Sequence, residues 1–194
     1  MARMAPKFTL ALAVVAATIF WSAPGLAQPQ EFKIAPVGTR LHRDTGGWIE
    51  IQRIEGRTVL TRNSAGRETR GVGLFFPTGT EQGVSFDKER VESIWPLEVG
   101  KSVSFKFTRG GDVWDETIKV LRTERVTVPA GSFDAYVVEV HEKTVGFGGA
   151  YEGKFTNWYA PDAGFIVKQT YQWVRGNAPN FTPWMLQRIE RPQG

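Results

Sequence analysis

The 194-residue sequence predicts a mainly β fold, an antiparallel curved sheet or half-barrel carrying one short helix. Three observations predict it. Glycine and proline, 21 and 11 residues in all, punctuate the chain at short intervals. The segments between them alternate apolar and polar residues with the two-residue period of strands. Only one segment keeps a helical period instead. Strands with one buried and one wet face belong to an antiparallel sheet, because parallel strands are covered on both faces and read as continuous apolar runs.

Taken in order, the first element stands outside that fold. In "MARMAPKFTLALAVVAATIFWSAPGLAQPQ", Arg3 and Lys7 precede an apolar run from Phe8 to Trp21, and Pro24 and the small-residue site Gly25-Leu26-Ala27 follow it. This is the layout of a secretory signal peptide, with cleavage expected after Ala27. The run is shorter than the roughly 20 residues that span a bilayer, and Pro24 breaks a continuing helix. Residues 1–27 are therefore expected to leave, and 28–194 to form a single β-rich domain in the periplasm or outside the cell, with no transmembrane segment in the mature chain. Removing Arg3 and Lys7 lowers the formal charge from +4 to +2, and export separates the protein from nucleic acid. With no cysteine, the chain has no disulfide, no thiol nucleophile and no attachment point for a lipid-modified cysteine, so packing has to stabilise it.

The clearest strand is "SVSFKFT", with Val103, Phe105 and Phe107 on one face and Ser104, Lys106 and Thr108 on the other. The same alternation marks "WIEIQRI", "RTVLTR", "WDETIKVL", "AYVVEV", "YEGKFTNWY", "FIVKQTYQW" and "WMLQRIE". In "SFDKERVESIWP", Asp87 suits an N-cap, and Val91, Ile94 and Trp95 share one helical stripe. A helix is expected from Lys88 to Trp95, stopped by Pro96 and laid against the sheet through that stripe. Two stretches, from Val37 and from Val99, share an order of Val-Gly, strand, Gly-Gly and Trp-x-Glu, the mark of either a duplication or two hairpins built alike.

The hairpin corners are the most conspicuous motifs. In "VTVPAGSFDAYVVEV", Pro129 sets φ for a turn and Gly131 can take the left-handed conformation of the adjoining bulge. "YAPDAGF" repeats the device with Pro161-Asp162 and Gly164. These V-P-A-G-x-F and W-Y-A-P-x-x-G hairpins resemble those of uncharacterised exported bacterial β-proteins known only as domains of unknown function. The resemblance covers about the C-terminal half, from "WPLEVGKSVSF" onward. Some such proteins look like the half-barrels of periplasmic lipoprotein carriers. That likeness implies a curved sheet and a helix enclosing an apolar groove.

Motifs of catalysis are missing from the sequence. His42 and His141 are the only histidines and neither has a second ligand at metal spacing. No G-x-S-x-G elbow occurs, and Ser132 follows a hairpin turn rather than entering a helix. Asp115 and Glu116 point to opposite faces of a strand, and Glu139 and Glu142 read as solvated strand-end charges. Carboxylates converging from different strands stay open. "VGFGGA" lacks the lysine and helix of a phosphate loop and reads as a connection able to gate a groove. Arg62 and Arg67 flank a four-residue loop and are expected to face each other, with Arg70 nearby, as a tentative anion site, or else to splay into water.

The leading expectation is an exported, non-catalytic binding or carrier protein, without cofactor, for a lipid or other amphipathic ligand. Its groove would lie between sheet and helix, lined by Val91, Ile94, Trp95, Phe105 and Trp114. The alternatives are an envelope interaction protein without a pocket and a hydrolase whose residues meet only in three dimensions.

Overall fold

A computed structural model describes residues 28–78, 83–146 and 149–193. The expected leader, residues 1–27, lies outside the described residues. The eight strands read from the sequence are all present: β2 (Trp48–Glu55), β3 (Thr58–Asn63), β7 (Ser102–Arg109), β8 (Asp112–Val128), β9 (Gly131–Gly146), β10 (Gly149–Ala160), β11 (Phe165–Arg175) and β12 (Trp184–Glu190). Four short ones join them: β1 (Arg40–Arg43), β4 (Glu68–Val72), β5 (Phe76–Pro77) and β6 (Ser85–Phe86).

All twelve strands make one antiparallel sheet in the order β5-β4-β3-β2-β1-β12-β11-β10-β9-β8-β7-β6. Every strand pairs with its neighbour in sequence, and β12 returns to pair with β1 through Arg40↔Glu190 and Leu41↔Ile189. The exception is β5 and β6, which form the two edges. The sheet is an open one, curled until those edges meet through side chains. The Phe76 ring of β5 lies 5.0 Å from Phe86 of β6, 5.2 Å from Phe105 and 5.0 Å from Phe107, and Arg109 donates to the Pro77 carbonyl at 3.1 Å. Covering both edges in this way protects otherwise exposed ladder groups.

The one helix among the described residues, α1 (Lys88–Glu92), sits at this seam. Arg90 Nε donates to the Ser104 carbonyl of β7, while Arg57 donates to the Glu92 carbonyl from the β3 side. Asp87 caps it as expected, accepting from the Arg90 amide at 2.9 Å. The helix ends three residues before the expected Trp95. Ile94 and Trp95 donate instead to carbonyls three residues back, in tighter turns, because the residue before a proline is driven out of the α region.

The inner face of the sheet is the core. Val103, Phe105 and Phe107 of β7 are buried and Ser104 and Lys106 exposed, as the alternation predicts. The N-terminal segment ties in at several points: Tyr136 Oη donates to Gln28, Tyr159 Oη to Lys33, and Ala35 N to Gly164. Gly164 has φ +67, and a Cβ there would collide with the Ala35 backbone nitrogen, so this corner requires glycine twice over. At the other corner Pro129-Ala130 form the turn, Gly131 has φ +131, and the Ala130 amide docks on the Leu186 carbonyl of β12. Both motifs are therefore corners that position strands.

Candidate functional site

The two halves of the inner face are filled differently. Around α1, Val91, Ile94 and Trp95 are buried. Trp95 stacks on Phe75 at 5.9 Å, meets Phe32 and Tyr159 edge-on, and donates its Nε1 to the Gly73 carbonyl at 2.9 Å. Phe105 packs on Phe76, and the half-buried Trp114 stacks on Phe107 at 5.8 Å. The five residues expected to line a groove are thus part of the packed interior.

A cavity of about 330 Å³ lies next to them, between β2–β4 on one side and β10–β12 on the other. Phe75 belongs to both regions, stacking on Trp95 and lining the cavity. Ile49, Val59, Leu74, Phe165, Ile166 and Trp184 supply the rest of its apolar wall. Leu74 holds φ 72, in the left-handed region where a non-glycine residue is strained by roughly 1–2 kcal/mol. The polar lining comes from alternate positions of one hairpin, Thr61, Asn63, Arg67 and Thr69, and from Asn157, Gln169 and Arg43. Two of these continue a chain from Trp184 out to the backbone: Trp184 Nε1 donates to Gln169, Gln169 to Asn157, and Asn157 to the Val138 carbonyl.

Arg43 is placed there by a bulge. Register slips between the His42↔Arg188 and Arg43↔Leu186 pairs, passing over Gln187. The slip sets buried Leu186 and Trp184 beside the arginine, as bulges re-aim side chains. The Arg43 guanidinium lies over the Trp184 ring at 4.2 Å. Burial pushes its pKa down to about 10, so it stays charged at neutral pH, and its Nε has no hydrogen-bond partner among the described residues.

The expected arginine cluster is corrected. Arg62 does not face Arg67: it pairs in register with Glu68 on β4 and Glu50 on β2, with an ion pair to Glu50 at 3.6 Å. The turn closes one residue further in, Asn63 N donating to Arg67 O and Asn63 Oδ1 accepting from Ala65 and Arg67. Strand alternation therefore sends Arg62 and Arg70 to the outer face and Arg67 to the cavity.

A second correction concerns Glu142. It is not a solvated strand-end charge; it pairs in register with buried Glu116 on β8. Burial first, then the Glu142 charge, holds Glu116 well above the usual carboxylate range, and burial raises Glu142 as well, with Arg109 opposing both. Neither Glu116 oxygen has a hydrogen-bond partner among the described residues. The histidines are rim residues, His42 against Glu190 at 3.1 Å and His141 against Glu152 at 2.9 Å. Ser132 shares a hydrogen bond with Thr127 across the hairpin. Among the described residues no group of three or more metal-ligating side chains gathers, and no helix is long and apolar enough to cross a membrane.

Residues 84–174 match a family model described as a protein of unknown function, DUF3108. The matched span contains both hairpin signatures, and the chain is similar to uncharacterised exported bacterial β-proteins, as those signatures predicted. Three solved structures are similar in fold. One, described as a candidate exported protein with a YmcC-like fold from Bacteroides fragilis, is 16% identical with a TM-score of 0.46, over 84% of this chain and 100% of that one. The hypothetical lipoprotein YmcC from Escherichia coli is 8% identical with a TM-score of 0.45, over 84% and 92%. A candidate lipoprotein from Parabacteroides distasonis is 13% identical with a TM-score of 0.43, over 84% and 100%. No curated protein matches in sequence.

Proposed function

We propose that this is an exported, non-catalytic protein of the periplasm or the extracellular space that binds an apolar or amphipathic ligand inside its curled sheet. The observation that carries the reading is the cavity of about 330 Å³, at the small end of the roughly 300–1,000 Å³ typical of small-molecule sites. Its wall is apolar along Ile49, Val59, Leu74, Phe75, Phe165, Ile166 and Trp184 and polar along one hairpin, Arg43, Asn157 and Gln169, an amphipathic lining. A well-formed apolar pocket with sparse, convergent polar groups is the usual form of a ligand site. The leader and the hairpin signatures support export.

The test is a titration of a fluorescent fatty acid against detergent-free protein and a variant with the cavity filled. Thr69 is partly exposed at the lining and sits on a strand that accepts aromatic residues, so Thr69→Trp should fold normally. The wild type should bind the probe and Thr69→Trp should not. Equal binding by both would place the ligand elsewhere.

A further inference from the structure

We propose that Arg43 anchors an anionic headgroup, a carboxylate or a phosphate, of the ligand that occupies the cavity. This rests on the reading of the cavity as a ligand site and adds the chemical class of its occupant.

Arg43 differs from the ion-paired arginines in what compensates it. Arg40, Arg53, Arg122, Arg175 and Arg188 each lie within 3.0 Å of a glutamate oxygen, all with about half or more of the side chain exposed. Arg43 is more deeply placed, and no ion pair joins it to a carboxylate among the described residues; desolvation alone acts on it. A guanidinium donor shut off from water is destabilised unless an acceptor meets it, and the Arg43 Nε has none among the described residues. The sixteen described residues that line the cavity include no aspartate and no glutamate, and both of their charges, Arg43 and Arg67, are positive. The neighbouring amides are engaged elsewhere, Gln169 and Asn157 bonding to each other, to Trp184 and to Val138, and no hydrogen bond joins them to Arg43 among the described residues. Trp184 fixes the plane of the guanidinium from one face, leaving its donor edge for a partner, and a guanidinium edge matches two oxygens of a carboxylate or phosphate. A headgroup at Arg43 would leave the tail against Ile49, Val59, Leu74 and Phe75.

Isothermal titration of the mature protein with decanoate, decyl phosphate, decanol and decyltrimethylammonium, repeated on Arg43→Met and Arg43→Lys, tests this. In the wild type the two anions should bind at least about tenfold tighter than decanol, and the cation should not bind. Whichever anion binds tighter names the headgroup. Arg43→Met should erase the preference while leaving decanol affinity within about twofold, and Arg43→Lys should keep part of it. Decanol binding as tightly as decanoate, or a preference that survives in Arg43→Met, would overturn the anchor and leave the cavity reading intact. If none of the four binds the wild type, the cavity reading fails and the anchor with it. Should Arg43→Met not fold, the wild-type ranking and Arg43→Lys decide.

Discussion

On the β7–β8 side of the seam the inward positions include Phe105, Phe107 and Trp114, which meet Phe76 or one another, and the buried Ile118. On the β3–β4 side the equivalent inward positions are Thr61, Asn63, Thr69 and Gly71, and they border a cavity. The same sheet is thus closed by large rings in one half and left hollow by small polar residues in the other. Each half also holds an ionisable side chain with a buried atom that lacks a hydrogen-bond partner among the described residues, Glu116 in the filled half and the half-buried Arg43 in the hollow one. Glu116 can be relieved by taking up a proton, whereas Arg43 keeps its charge at neutral pH. What distinguishes the hollow half is therefore both its space and a lasting positive charge with an unmet donor.

The largest effect should come from emptying the filled half. Trp95→Ala removes a buried ring and its hydrogen bond to Gly73, and should cost about 3–5 kcal/mol in urea denaturation. A loss below about 1 kcal/mol would mean that the region around α1 is loosely packed and the contrast between the halves false.

Next comes the frame that both halves share. Gly164→Ala forces a side chain into left-handed backbone and against Ala35, at an expected cost of about 2–4 kcal/mol. Thermal melts should show stability and probe binding lost together.

A smaller effect separates the two buried charges by pH. Glu116 and Glu142 have folded pKa values above their unfolded ones, so the folded state binds protons more tightly. Their contribution is fully present below the unfolded value of about 4.5 and is lost as pH rises through the folded values. The carboxylates with lowered values, such as Glu50 and Glu124, act in the opposite sense and below pH 4.5, so the windows do not overlap. Glu116→Gln should therefore flatten the decline in melting temperature above pH 4.5 and melt a few degrees higher than wild type at neutral pH. A slope unchanged by the substitution would place the titration elsewhere. Arg43 should contribute no slope in this window.

Smallest of all, Ser132→Ala should change stability by less than about 0.5 kcal/mol, because it removes one exposed side-chain hydrogen bond at a corner. Calorimetry checks it, and loss of a bound ligand in this variant would make the corner a site.

The sheet was legible because period-two alternation survives wherever one face is apolar, as in "SVSFKFT" and "WIEIQRI". The strands missed fail that condition. β4 carries Thr69 and Gly71 inward, and β5 and β6 have two residues each. The curvature was expected, but the pairing behind it was not legible: it depends on Arg40 meeting Glu190, a contact across nearly the whole chain. The cavity was hidden because alternation cannot tell a polar face turned inward from one turned to water. Arg43, between His42 and Asp44, reads as a surface charge, and so does Glu142. The tryptophans misdirect for the opposite reason. Trp95 advertises an apolar site through its helical stripe but is used in packing, while Trp184, in an ordinary strand, borders the cavity.

The most direct measurement of the central claim is a native mass spectrum of the mature protein isolated from its exported fraction without detergent. The account predicts a population heavier than the polypeptide by the mass of one small amphipathic molecule, removed by mild organic extraction and absent from Thr69→Trp. Bare polypeptide alone, from a preparation that also binds no fatty-acyl probe, would contradict it.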